Sequence, residues 1–237
     1  MNDETKTEAD RLADARERLM RAALPHVAFD GWTRATMDAA IGDCGLSPDL
    51  AASAAPRGAI DLAVAFHRAG DRELKAAPPN FEGLRYSEKV AALVRRRIEI
   101  AAAEREAVRR GVTLFSLPIH AAEGARLIWG TADLIWTMLG DTSRDYNWYT
   151  KRTILSGVYS STVLYWLGDE SEGAEATWAF LDRRIEDVMR FEKTKAKLRD
   201  NPLARALFAG PKALLERIQA PGETPAGPLT GLPGRKG

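Results

Sequence analysis

The sequence predicts an all-α fold, and three observations predict it. Apolar residues recur at three- and four-residue spacing along nearly the whole chain. No stretch alternates in the manner of a strand, and no repeat is present. Two segments are apolar on almost every side: between Leu127 and Leu139 the only charge is Asp133, and between Thr153 and Gly168 there is none. A helix that is apolar all round is buried on several sides. With 237 residues, 45% of them hydrophobic, the chain can bury a substantial core.

The elements follow in order. Leu12, Ala15, Leu19, Ala22 and Ala23 line one face of a first helix. Thr33 caps a short second helix ending near Gly42, and Ser47-Pro48-Asp49 opens a third, with Ser as N-cap and Pro at N1. A fourth runs from about Arg57 to Ala69, and Asp71 to Arg85 reads as a connector marked by Pro78-Pro79-Asn80. Ser87 opens a long helix with Glu88, Val90, Leu93, Val94, Ile98 and Ala101 at helical spacing. Pro118 breaks the chain before the first apolar helix. The charged connector Gly140 to Arg152 separates the two apolar helices, and Trp148 and Tyr149 begin the second near the surface. Glu172 to Lys197 is a long amphipathic helix.

Composition excludes little beyond a disulfide framework, since Cys44 is the only cysteine; that fits a reducing cytoplasm. Net charge is +1, so the whole-molecule field does not point to an anionic partner. The acidic start, Met1 to Asp10, carries no signal-peptide core, and neither apolar segment reaches the ~18–20 residues of a membrane span. His26, His67 and His120 are the only histidines, and none sits in a Glu-x-x-His pair or in a zinc spacing. No nucleophile elbow, phosphate loop or dinucleotide fingerprint is found. No catalytic residue, metal ligand or cofactor is therefore assigned. His120 and Glu123, one turn apart, read as a surface hydrogen-bonded pair. Asp133 needs a partner, in a core ion pair, in a helix-packing hydrogen bond or at the polar end of a pocket.

Residues 22–62 have the layout of a helix-turn-helix and resemble the amino-terminal domain of TetR-family repressors. The residues that would touch DNA are wrong. The recognition helix would be Ser47 to Ala55, with no base and one acid, and between Gly31 and Gly70 three arginines face four aspartates. Phosphate and base-edge contacts need Arg, Lys, Asn or Gln. The module is expected not to bind DNA.

The apolar helices offer a candidate lipid site in Ile128, Leu134, Trp136, Met138, Ile154, Val158, Tyr159, Ser160 and Leu164. Small residues Gly157, Ser160 and Ser161 leave room for a ligand or for a closely approaching helix, so a lipid cavity and a dimer interface both remain open. Asp200-Asn201-Pro202 starts another helix, with Leu203, Leu207, Phe208, Leu214, Leu215 and Ile218 on one face and Arg205, Lys212 and Arg217 on the other. Apolar burial of roughly 1.5–3 kcal/mol per side chain and about 1 kcal/mol per base near an anionic surface make a reversible membrane anchor. Docking on the protein's own core is the alternative.

Three stretches carry a specific resemblance: Gly140-Asp141-x-Ser143-x-Asp145-x-Asn147-Trp148-Tyr149-Thr150-Lys151-Arg152, Val158-Tyr159-x-x-Thr162-x-Leu164-Tyr165-Trp166-Leu167 and Thr177-Trp178-x-Phe180-Leu181-Asp182-x-Arg184-Ile185. The chain resembles the Coq-nine family, TetR-like lipid-binding proteins of ubiquinone (coenzyme Q) biosynthesis. The resemblance runs from about Arg11 to Lys197 and is strongest between Leu127 and Met189. Where the family usually has an aromatic before Pro56-Arg57-Gly58, this chain has Ala54-Ala55.

The resemblance implies an all-α TetR-like fold with a vestigial helix-turn-helix module, a homodimer, a cavity for isoprenoid lipids and a carboxy-terminal amphipathic helix at the membrane. It also implies a partner, the demethoxyubiquinone hydroxylase or an equivalent quinone hydroxylase, reached through Trp148, Tyr149 and Arg152. The expected organisation is a helix-turn-helix-like module over 1–70, a lipid-binding and dimerisation part over 71–198, a membrane helix over 199–220 and a disordered tail over 221–237. The expected function is a non-enzymatic accessory protein, cytoplasmic and peripherally bound to the inner membrane, that presents isoprenoid quinone intermediates to a hydroxylase. A ligand-responsive repressor is the alternative, and an unrecognised enzyme of quinone metabolism the third.

Overall fold

The computed structural model describes residues 7–144 and 146–199, with side chains described as far as Arg190. The expected membrane helix with Leu203, Leu207, Phe208, Leu214, Leu215 and Ile218, and the tail after it, lie outside the described residues. The described residues form nine α-helices, two short 3-10 turns and no strand.

Helix α1 (Glu8–Asp30) opens on a capping box in which Thr7 and Asp10 satisfy each other's backbone N–H, and it stops at Gly31. Thr33 caps α2 (Arg34–Cys44). That helix ends on Gly45, whose φ of 62° and ψ of 29° are the left-handed geometry of a helix stop. Ser47 caps α3 (Pro48–Ala54), with Pro at the first turn.

Helix α4 (Ala59–Ala76) overruns its expected end by two turns, so the first part of the expected connector is helical. Leu74 is fully buried and Asp71 pairs with Arg97, so tertiary contacts carry the helix past Gly70. Helix α5 (Tyr86–Ile100) begins one residue earlier than Ser87, where the Glu88 carboxylate accepts the Arg85 N–H at 2.7 Å. A 3-10 turn, Ala102–Glu104, separates it from α6 (Arg105–Ser116). Leu117 and Pro118 then turn the chain into α7 (Pro118–Met138). Gly124 lets α7 cross α6 closely: a Cβ there would lie 2.7 Å from Cβ of Phe115. Helix α8 (Tyr146–Gly168) and α9 (Glu175–Arg199) complete the fold.

Two apolar clusters hold these helices. One joins α1 to α4 and Ala107 of α6, around Leu19, Ala23, Val27, Trp32 and Leu62. The other joins the end of α4 to α5, α7, α8 and α9, around Leu74, Leu93, Ile98, Ile135, Tyr159 and Leu181. The indole of Trp32 donates to the Ala107 carbonyl at 3.2 Å and ties α6 to the first cluster. At the other end of α6, Arg105 and Arg109 donate to the terminal carbonyls of α8, including Asp169 at 2.6 Å and Leu167 at 2.6 Å, which no intrahelical donor reaches. The Asp169 carboxylate then accepts from Ser171 and Thr177 at the start of α9. Those bonds, Thr177 first, hold its carboxyl well below the usual carboxylate range. Among the described residues no helix is long and apolar enough to cross a membrane.

Candidate functional site

Between the two clusters the packing stays open. A cavity of about 580 Å³ is lined by members of both, Met20, Trp32 and Ala63 from one and Ile98, Tyr159 and Val163 from the other. Helices α1, α4, α5, α6, α7 and α8 all contribute to its wall. Leu24, Phe66, Val108, Val112, Phe115 and Ile128 make most of that wall apolar. Its size falls within the ~300–1,000 Å³ of pockets that take small organic ligands. It reaches Phe115, Ser116 and Ala121 at the α6–α7 corner, where Leu117 and Ile119 are 48% and 82% exposed.

One part of the wall is polar. Arg97 on α5 is buried, and its Nε donates to Asp71 at 2.7 Å while Nη2 donates to the His67 carbonyl at 2.8 Å. Thr131 on α7 donates to the same Asp71 oxygen at 2.9 Å and accepts from Nε2 of His67 at 2.9 Å, an arrangement that puts the imidazole proton on Nε2. Burial, then the neighbouring Arg97 charge, lowers the His67 pKa to about 4, so the ring is neutral at pH 7. Burial pushes the Tyr159 phenol up, and its ring centroid lies 6.0 Å from the Arg97 guanidinium carbon. Gly70 makes this possible, because a Cβ there would stand 2.6 Å from that carbon.

Of the residues expected to meet lipid, Ile128, Tyr159, Ser160 and Leu164 line the cavity. Leu134, Trp136, Met138, Ile154 and Val158 are not in its wall; they belong to the second core cluster. The indole of Trp136 donates to the Lys151 carbonyl at 3.0 Å, which fixes α7 to α8. Both sets lie on helices apolar all round, where periodicity alone cannot tell a cavity face from a packed one.

The connector before α8 is built on ion pairs. Arg152, expected at a partner surface, is 3% exposed and faces inward. Its guanidinium donates to Asp133 at 2.5 Å, to Asp141 at 3.1 Å and to the Trp148 carbonyl at 3.2 Å. This is the partner that Asp133 requires. Asp141 also accepts from Lys151 at 2.7 Å and from Ser143 at 2.8 Å. Burial raises its pKa, and these bonds overcome that and bring it down to about 2. Trp148 and Tyr149 are half-buried, not free-standing. Their rings meet edge to face at 4.8 Å, both pack on Trp129, and the Arg152 guanidinium lies 4.0 Å from the Trp148 ring.

Other placements complete the picture. Glu123 does not bond His120; it accepts two bonds from Arg57, at 2.8 and 2.9 Å, and these hold its carboxyl below the usual range. The exposed residues of α3 and its cap are Ser47, Pro48, Asp49, Ala52 and Ser53. The arginines nearest to it are engaged, Arg16 with the Ala54 carbonyl, Arg18 with the Cys44 carbonyl and Arg57 with Asp61 and Glu123. Among the described residues no group of three or more His, Cys, Asp or Glu could hold a metal ion.

Asp71, Arg97, Gly70 and Thr131 were missed by the sequence reading. One signal was available: Arg97 falls on the same helical stripe as Val90, Leu93, Val94 and Ala101, so a charge stands where burial is expected.

Residues 121–192 match the family model described as COQ9. The mitochondrial ubiquinone biosynthesis protein COQ9 of Rattus norvegicus is 37% identical over 90 residues, 38% of this chain and 29% of that protein. The probable ubiquinone biosynthesis protein coq9 of Dictyostelium discoideum is 26% identical over 75% of this chain and 61% of its own length. The Drosophila melanogaster COQ9 protein is 27% identical over 75% of this chain and 56% of its own length. The chain thus spans less than two thirds of each of these relatives. A TetR transcriptional regulator from Nitrosomonas europaea shares the fold, with a TM-score of 0.59 and 21% identity over 72% of this chain and 95% of that one. Residues 121–192, which hold most of α7, all of α8 and much of α9, match the COQ9 family model, and the chain is an all-helical fold of the TetR type.

Proposed function

We propose that this chain is a non-enzymatic lipid-binding accessory protein of ubiquinone biosynthesis. The observation that carries the reading is the 580 Å³ apolar cavity, walled by α7 and α8 of the COQ9 segment. The names of the relatives supply the pathway. An isoprenoid quinone intermediate enters the cavity, which takes its ring and the near part of its tail. The exposed Leu117 and Ile119 beside Phe115 and Ala121 support a mouth at the α6–α7 corner that faces an apolar surface. The helical spacing of apolar residues in the sequence 203–218 and the lysines before it support a peripheral contact with the membrane.

The Trp129, Trp148 and Tyr149 ledge is the proposed docking surface for a quinone hydroxylase. Clustered aromatics beside charge suit an interface anchor. Arg152 then acts from below, by holding Trp148, and a second copy of the chain is the proposed homodimer partner. Ligand-responsive repression is disfavoured by the base-free exposed face of α3.

The test is mass spectrometry of lipids extracted from the purified, folded protein. Stoichiometric isoprenoid quinone or its precursor is the expected result. Protein that carries no lipid, and takes up none from quinone-loaded vesicles, overturns the reading.

A further inference from the structure

The cavity is not uniformly greasy, and its polar patch has two donors with nothing to do. Nη1 of Arg97 and the hydroxyl of Tyr159 make no hydrogen bond among the described residues, whereas Nε and Nη2 of Arg97 are both engaged. Arg97 and Tyr159 both lie in the cavity wall, and both are buried. Neither atom is among the fully enclosed side-chain atoms without a partner, so each keeps access to the cavity as a donor whose acceptor has yet to arrive. A chain that spends a glycine at position 70 to seat a guanidinium here has room in the same place for an acceptor from outside.

We propose that Tyr159 and Arg97 form a head-group subsite that donates to a ring oxygen, carbonyl or phenol, of an uncharged lipid. The absence of an uncompensated cation sets the class. Asp71 cancels Arg97 at 2.7 Å, Glu17 pairs the other wall cation, Arg21, at 3.1 Å, His67 is held neutral by burial, and Glu73 and Glu104 add negative charge to the wall. A carboxylate or phosphate head would meet no uncompensated cation and would leave water for a site that cannot repay its desolvation. A neutral oxygen loses little and gains two donors. Tyr159 stands eleven residues beyond Trp148 on α8, about 16 Å along the axis. The ring is therefore stored deep in the wall and must slide toward the ledge to be handed over.

This subsite rests on the lipid-carrier reading, and the experiment separates the two. Three probes of similar length are titrated into the full chain by equilibrium dialysis: a benzoquinone with two isoprene units, the matching hydrocarbon without the ring, and the matching fatty acid. The variant is Tyr159→Phe, which removes only the hydroxyl and keeps the ring over Arg97; circular dichroism checks its fold. Wild type should prefer the quinone to both other probes. The variant should lose about fivefold in quinone affinity, the size of one ordinary hydrogen bond, and bind the hydrocarbon within twofold of wild type. If the folded variant binds quinone as wild type does, or loses quinone and hydrocarbon alike, the subsite is refuted while the cavity remains a lipid site. Fatty acid binding tighter than quinone also refutes it. If wild type binds none of the probes, the carrier reading falls with it.

Discussion

Replacing Arg152 with Met removes a buried side chain that joins α7, the connector and α8. Asp141 is the more exposed to this loss in energetic terms: its side chain is 3% accessible and gives up its 3.1 Å bond. It keeps Lys151 at 2.7 Å and Ser143 at 2.8 Å, so it is not left bare. Asp133 gives up a 2.5 Å bond, but with 43% of its side chain accessible it recovers water. Stranding one partner of a buried ion pair costs about 3–5 kcal/mol, and the remaining Lys151 bond puts this case at the low end, about 3 kcal/mol. For a domain of this size that is a fall in Tm of about 6–12 °C.

Urea and thermal unfolding followed by far-UV circular dichroism measure it directly. Acid sharpens the test. The folded Asp141 pKa lies near 2, below the usual 3.8, so its contribution is present above about pH 4 and is lost as pH falls toward 2. Wild type should lose more stability across that window than Arg152→Met does. The reasoning is refuted if Arg152→Met costs under 1 kcal/mol, or if Asp141→Asn costs nothing and leaves the acid profile unchanged.

His67 gives a second acid signature, because its folded pKa of about 4 lies below the ordinary 6.5. The unfolded chain takes up that proton first, so stability is complete above pH 6.5 and declines by up to about 3 kcal/mol as pH falls to 4. His67→Gln should flatten that slope in urea titrations. Trp148→Ala should keep the helical spectrum and bound lipid yet weaken hydroxylase binding tenfold or more in a titration, the loss of about 2 kcal/mol common for interface tryptophans; unchanged binding would place the docking surface elsewhere. Duplex DNA at moderate salt should show no gel shift with submicromolar protein, and a salt-dependent shift abolished by changes in α3 would reinstate the repressor reading. Deleting residues 201–237 should spare the fold and weaken binding to anionic liposomes, and equal binding would dismiss the tether.

Several features were legible because they are local. Thr33 and Ser47 cap α2 and α3 where the sequence places them, since a short hydroxyl side chain one turn ahead of an apolar stripe has one good use. The two apolar segments are helices, and the family resemblance over 127–189 agrees with the COQ9 match at 121–192. Other boundaries moved for tertiary reasons: α4 runs to Ala76 because Leu74 and Asp71 have partners on other helices. By itself the sequence determined the helical class, the resemblance to the COQ9 family and the poverty of bases on α3, because periodicity, motif and composition need no neighbours. Only the tertiary structure decided which apolar faces close and which leave a cavity, that Arg152 faces inward and that Arg97, His67, Asp71 and Thr131 meet. Helices distant in sequence supply both sides of those contacts, and a pattern read along one helix carries no record of what another brings to it.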